Sequence, residues 1–273
     1  MNLGVQVVST LKPDYGIDAP GVRRGMFIAG VGGTLLFMAV ALANAFGMAS
    51  SGTASQISSG LAILGGLIAV YGLFMGGYMT YGSRIGKLRT REGLLDQLAE
   101  LRPWEGNEAV LDVGCGRGLM LIGAAKRLVA GTGGVAVGID LWRTQDQSAN
   151  SAAAALENAR REGVADSARI DTGDARALPY PDGSFDVVLS HWVVHNLEPA
   201  ADRVKALDEM LRVLRPGGVL ALADIASIAQ YREHLQSRGV VQLRFQDGGL
   251  EARIMGVLSG GSYRPQALLA VKP

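Results

Sequence analysis

From Gly25 to Ser83 the chain runs for 59 residues without an Asp, Glu, Lys or Arg, although 19 % of its 273 residues are charged. A stretch so long and so apolar can be neither a solvated loop nor an ordinary surface helix, which needs a polar face. Within it, MFIAGVGGTLLFMAVALANAFGM (Met26–Met48) and ISSGLAILGGLIAVYGLFMGGYMTY (Ile57–Tyr81) each reach the roughly 20 residues a helix needs to cross a bilayer. The intervening ASSGTASQ is small, polar and uncharged, while Arg23 and Arg24 precede the first run and Arg84, Lys87, Arg89 and Arg91 follow the second. By the positive-inside rule both outer flanks are cytoplasmic. The expectation is a transmembrane hairpin over residues 26–81 in an inner or cytoplasmic membrane, with segment 1–25 and everything after the hairpin on the cytoplasmic side. A cleaved signal, suggested faintly by RRGMF and ANA, is opposed by the second apolar run and its basic flank. Gly72 and Gly76 would let helix backbones approach closely, either inside the hairpin or between two copies in a homodimer.

Outside this stretch the chain has the mixed charge of a globular domain. A formal net charge of +1 and the absence of a basic run with interleaved aromatics give no reason to expect nucleic acid. A single cysteine excludes an internal disulfide and a cysteine metal cluster, and His191, His195 and His234 lack partners at ligand spacing, so no metal is expected. Residues 84–104 carry Leu88, Leu94, Leu95, Leu98 and Leu101 at mostly helical spacing among charges, which predicts a juxtamembrane amphipathic helix acting as a lid or collar. From there to the end, short apolar runs alternate with amphipathic stretches: EAVLDV, GVAVGID, SARIDTGD, FDVVLS and GVLALADI are interleaved with helical patterns. That rhythm predicts an α/β domain over 105–273 with a mostly parallel sheet covered on both faces. The last two strands, Val240–Phe245 and Gln266–Val271, show no crossover helix of normal length between them and are expected to pair antiparallel at an edge.

The first strand of the domain ends in VLDVGCGRGL (Val110–Leu119). Gly114, Gly116 and Gly118 permit a tight turn and bring a ligand to the backbone. A dinucleotide fingerprint, G-x-G-x-x-G, would need its third glycine at position 119, where Leu119 stands. An acid two residues before the first glycine, Asp112, suits a cationic ligand better than a pyrophosphate. The second strand ends in Asp140, placed to accept from both hydroxyls of a ribose, and Leu141–Trp142 follow as apolar surface for a purine face. After the third strand, TGDARALPYPDGSFDVV offers Asp174 to an amino group and the backbone of Ala175 to a ring edge.

VLDVGCGRG, the acid of GIDLW, GDARALPYPDGSFDVV and LRVLRPGGVL, in that order, resemble the class I S-adenosylmethionine-dependent methyltransferases, a Rossmann-like family with a seven-stranded sheet. The last two pieces look most like the ubiquinone/menaquinone-biosynthesis type and its small-molecule relatives. The resemblance spans about Glu108 to Pro273. It implies S-adenosylmethionine as cofactor, with its methionine portion on the Asp112–Gly118 loop (including Cys115, otherwise a small filler), its ribose on Asp140 and its adenine on Asp174 and Ala175. It places the acceptor beside SHWVVHNLEP (Ser190–Pro199) at the end of the fourth strand, so Ser190 joins the cofactor set and Asn196 can orient a polar acceptor. His191 or His195 is the candidate base, because imidazole titrates near neutrality; ordering of the loop is the alternative for each.

The hairpin supplies the substrate expectation: tethering at a bilayer gives access to small acceptors that partition into lipid. The sequence therefore reads as a membrane-anchored methyltransferase acting on a small lipophilic molecule. A catalytically silent S-adenosylmethionine-binding scaffold is the alternative, followed by a nucleotide-dependent oxidoreductase, which the missing third glycine opposes.

Overall fold

A computed structural model describes residues 12–48 and 52–273. The expected N-terminal segment and the link between the apolar runs fall partly outside these residues, at 1–11 and 49–51. The chain divides into two compact units: one holds residues 16–87 with 143–148, the other residues 12–15, 88–142 and 149–273 among those described.

In the first unit, α1 (Pro20–Ala45) and α2 (Gly52–Tyr81) are both long and apolar enough to cross a membrane. They pack antiparallel through small residues: a side chain on Gly33 would strike Ala69 N at 2.6 Å and one on Gly72 would strike Gly30 N at 2.5 Å. Gly76 faces the Phe27 ring, so both glycines of the GLFMG stretch are used inside the hairpin. Toward the link Ser58 Oγ donates to Asn44 Oδ1 at 2.6 Å, satisfying two polar groups that lipid would leave unpaired. The outward surfaces are apolar and uncovered: Ile28 is 66 % exposed, Leu35 62 %, Leu67 64 % and Val70 71 %. Core helices of a soluble domain would bury these side chains. A π-helical turn, Gly82–Gly86, continues α2 into α3 (Lys87–Leu101).

The second unit is a seven-stranded sheet. Its strands are β1 (Ala109–Val113), β2 (Val135–Asp140), β3 (Ala168–Thr172), β4 (Phe185–His191), β5 (Leu214–Asp224), β6 (Val241–Gln246) and β7 (Gln266–Val271), in the spatial order β3-β2-β1-β4-β5-β7-β6. The side-chain period of two sends alternate residues to opposite cores. Leu111, Val113, Val137, Ile139, Val188 and Leu220 point to one core, where Leu207, Met210 and Leu211 of α6 (Ala200–Val213) and Tyr231 and Leu235 of α7 (Ile228–Ser237) meet them. Val110, Ala136, Val187, Leu189 and Val219 point to the other, against Leu121 of α4 (Leu119–Ala125) and Leu94, Leu95 and Leu98 of α3. A fifth helix of this unit, α5 (Ala152–Arg161), precedes β3.

Three expectations change. The helix read as a lid or collar is a core element, because Leu94, Leu95 and Leu98 are fully or almost fully buried. The last two strands do pair antiparallel at an edge of the sheet, but the edge strand is β6, and the strand that runs antiparallel to its neighbours is β7, one place in, between β5 and β6. A helix unread in the sequence, α8 (Gly249–Leu258), joins β6 to β7, where no crossover helix was expected. Within β5 the Pro216–Gly218 stretch forms an irregularity, where the register with β4 shifts.

Candidate active site

The order of strands reverses between β1 and β4, and in an open α/β sheet that switch point opens a crevice at the carboxyl ends. The loop after β1 enters it. Gly114 sits at φ 73° with Val193 against the position its Cβ would take, so only glycine fits there. Gly114 N donates to Ile139 O at 2.8 Å and Gly116 N to Asp140 Oδ2 at 2.8 Å, which ties the loop to the end of β2.

Asp112, 1 % exposed, accepts from Leu121 N at 2.8 Å through Oδ2, while its Oδ1 has no hydrogen-bond partner. Burial pushes its carboxyl up to about 7; the Asp140 charge adds to this and the Leu121 N–H opposes it. Burial, with the charges of Asp112 and Asp140, pushes the Cys115 thiol well up, so the thiolate is disfavoured and the side chain acts as filler under Gly138.

Asp140 accepts from Gly116 N, from Trp142 N at 2.6 Å and from Asn150 Nδ2 at 3.2 Å. A carboxylate has about four acceptor positions, so a ligand that took two would have to displace the long Asn150 bond. Trp142 holds a left-handed φ of 61° and its Nε1 donates to Thr172 Oγ1 at 2.8 Å, while Leu141 beside it is 47 % exposed. A bulky residue in that region is strained, and the Asp140 hydrogen bond holds it. Gly173 N donates to Asp140 O at 3.2 Å, bringing the Asp174–Ala175 turn alongside. Asp174 itself is engaged by Arg176, with Nη2 at 2.6 Å, and this guanidinium holds its carboxyl below the usual range. Arg176 also reaches Asp202 at 2.5 Å.

On the other side of the crevice, Ser190 is buried with an unpartnered Oγ. His191 ends β4 and stacks on Trp192, centroids 4.8 Å apart, and Trp192 meets Tyr263 edge-on at 5.8 Å. His195 lies in the short turn Val194–Asn196; its Nδ1 is hydrogen-bonded to Asp224 Oδ1 and its backbone N donates to Oδ2 at 3.0 Å. Asp224, 2 % exposed at the end of β5, also accepts from Ile225 N at 2.8 Å and from Tyr231 Oη at 3.1 Å. Asn196 shares the turn, its backbone N donating to Val193 O at 3.0 Å.

The structure thus brings Asp112, the three glycines, Asp140, Trp142 and the Asp174 turn to one half of the rim, and separates the two histidines by partner. His195 has the Asp224 carboxylate on Nδ1, an arrangement that leaves Nε2 for proton transfer, as in other His–Asp pairs. The sequence reading missed Asp224, Tyr231 and Asn150. For Asp224 a signal existed, an acid closing the apolar run VLALAD. Among the described residues no three His, Cys, Asp or Glu side chains gather to hold a metal ion.

The family model described as "Methyltransferase domain" matches residues 111–222. Over 134 residues, 49 % of this chain and 44 % of the relative, the sequence is 37 % identical to methyltransferase GfsG of Streptomyces halstedii. It is likewise 37 % identical over 131 residues, 48 % of this chain and 43 % of the relative, to 27-O-demethylrifamycin SV methyltransferase of Amycolatopsis mediterranei. The matches thus span under half the length of these two relatives. The crystal structure of a sarcosine dimethylglycine methyltransferase candidate from Galdieria sulphuraria shares the fold, with a TM-score of 0.53 at 24 % identity over 68 % of this chain and 86 % of that one. The unit that carries the glycine loop and the His195–Asp224 pair thus matches a methyltransferase-domain model over residues 111–222 and shares the fold of a solved structure described as a methyltransferase candidate.

Proposed function

We propose that the whole chain is a membrane-anchored methyltransferase acting on a small lipophilic acceptor, with His195 as general base. The observation that carries the catalytic half is the His195–Asp224 pair on the same strand-end rim as the glycine loop. A matching fold alone does not fix chemistry, so the argument rests on these side chains.

Asp112 fits a cationic cofactor, because its buried Oδ1 lacks a hydrogen-bond partner. When bound, S-adenosylmethionine supplies a methyl group activated on a sulfonium. The Asp112–Gly118 loop would hold its methionine portion, Asp140 its ribose, Trp142 and the Asp174–Ala175 turn its adenine, and Ser190 the inner wall. Transfer is then largely a matter of orientation and water exclusion. His195 takes the proton from an acceptor hydroxyl or amine through Nε2. Asp224 fixes the tautomer by accepting from Nδ1–H and stabilises the imidazolium that results. Tyr231 and Ile225 N fix Asp224 in turn.

The membrane half is supported by the exposed apolar surfaces of α1 and α2 and by the basic residues that flank them. By its name, the Amycolatopsis relative acts on 27-O-demethylrifamycin SV, which favours a small molecule over a macromolecule as acceptor here.

The test is transfer of labelled methyl groups from S-adenosylmethionine into a membrane lipid extract. The full chain should label a lipid-soluble product, and His195→Gln should lower kcat by about 10²–10⁴-fold, the span of general-base contributions. Asp224→Asn should act in the same direction and change the pH profile, with cofactor affinity kept in both variants. Cofactor binding without incorporation from any extract would favour the silent scaffold; full activity in His195→Gln would remove the base.

A further inference from the structure

Asp14 and Tyr15 precede the first apolar helix in the chain, yet they belong to the methyltransferase unit. Asp14 N donates to Asn158 Oδ1 at 2.9 Å, and Asn158 Nδ2 donates back to Asp14 O at 2.9 Å. The same Nδ2 donates to the carbonyl of Arg117, also at 2.9 Å, between the second and third glycines of the loop. Arg117 completes the ring: its Nε donates to Asp14 O at 2.7 Å and its Nη2 to the Asp14 carboxylate at 3.0 Å. Tyr15 is 5 % exposed and packs with Leu119 and Ile122 of α4 and Ala159 of α5. Its hydroxyl donates to Glu162 at 3.1 Å and accepts from Arg91 Nη1 at 3.3 Å.

These contacts converge on one object. The loop from Gly114 to Gly118 contains three glycines at positive φ, a sequence that loses unusually much backbone freedom when ordered. Asp140 holds it at Gly116, and Asn158 and Asp14 hold it at Arg117. Asn158 is 1 % exposed, so its amide is dedicated to this junction and not shared with solvent. We propose that the segment Lys12–Tyr15 is a strap that holds the glycine loop in its cofactor-receiving conformation, with Arg117 and Asn158 as positioning residues.

The strap rests on the reading of that loop as the cofactor cradle. By ordering the loop before the ligand arrives, it spares binding the entropy of doing so. It acts on cofactor affinity and leaves the acceptor and the base untouched. Linkage makes the effect reciprocal: bound cofactor holds the strap down as firmly as the strap favours cofactor.

Calorimetry on the full chain in detergent micelles, with S-adenosylmethionine and separately with S-adenosylhomocysteine, tests this. Arg117→Met keeps the aliphatic stem and loses both bonds to Asp14; Asn158→Ala loses the three amide bonds. Each should raise Kd for both ligands about ten-fold, the worth of one charged or two ordinary hydrogen bonds. The double variant should be little worse than either single one, because the residues share one network. Arg117→Lys should restore part of the affinity, lacking only the fork geometry. In Asn158→Ala, which lies outside the loop, kcat on the membrane lipid extract at saturating cofactor should stay within about two-fold, a split that general loss of fold would not give. In the unsubstituted chain cofactor should slow chymotrypsin cleavage after Tyr15, and in Arg117→Met it should not.

Wild-type affinity in both Arg117→Met and Asn158→Ala, with Asp140→Ala weakened in the same assay, would overturn the strap and leave the cofactor reading standing. An unsubstituted chain that bound neither ligand would overturn both.

Discussion

Two aspartates at strand ends show how environment divides labour among identical residues. Asp224 is surrounded by donors, from His195, Ile225 and Tyr231, and each hydrogen bond fixes its orientation. Asp112 accepts a hydrogen bond from Leu121 N, and burial raises its carboxyl to about 7. A raised carboxyl means that the folded state holds a proton that the unfolded chain, with an ordinary value near 4, has already lost. The stability tied to Asp112 is therefore fully present below about pH 4 and is lost as pH rises to about 7. Asp112→Asn should flatten the fall in thermal midpoint over that interval for the ligand-free chain. An unchanged pH slope would show that Asp112 ionises freely in the folded state. At this scale the sequence was informative where function is local: Asp112, the glycines and Asp140 lie on short stretches whose order is itself the signal. It was uninformative where function depends on pairing. His195 and Asp224 are 29 residues apart and meet because β4 and β5 place His191 beside Ala223. Arg117 and Asp14 are 103 residues apart, and no spacing predicts their contact.

Among elements, those with strong periodicity were legible and those defined by neighbours were not. The strands β1 to β5 follow from apolar runs that the flanking helices bury on both faces. The helix α8 lies in GGLEARIMGVLSGG, where paired glycines at both ends read as loop and its apolar side chains show no clear facing. It joins the adjacent strands β6 and β7, while the connection through α7 carries β6 one place beyond β5 and leaves the position that β7 fills. The leucines of α3 were read as an amphipathic stripe, but a stripe does not say what it packs on, and here it is the sheet. For α1 and α2 the sequence gives length and apolarity, and the exposed surfaces of Ile28, Leu35, Leu67 and Val70 give them a use. If these helices span a bilayer, the chain should stay in the membrane pellet through an alkaline carbonate wash. In sealed spheroplasts, added protease should then spare the domain that carries the glycine loop. Release by carbonate would make the helices peripheral, and cleavage of the domain from outside would reverse the topology.

For the whole molecule, two helices long and apolar enough to cross a membrane and a domain whose glycine loop lies in a match to a methyltransferase-domain model are joined in one chain. The account turns on the ligand of that loop, because the base, the strap and the lipophilic acceptor all presuppose it. The sequence argued against a dinucleotide on one missing glycine at Leu119. The structure adds an orphaned buried carboxylate oxygen on Asp112, which suits a cation and disfavours a pyrophosphate. The most direct measurement is calorimetry of the full chain against S-adenosylmethionine and NAD, with Asp140→Ala alongside. S-adenosylmethionine should bind and NAD should not, and Asp140→Ala should weaken the binding by about 1–3 kcal/mol, the worth of a charged hydrogen bond. Tight binding of NAD with none of S-adenosylmethionine would contradict the account at its centre.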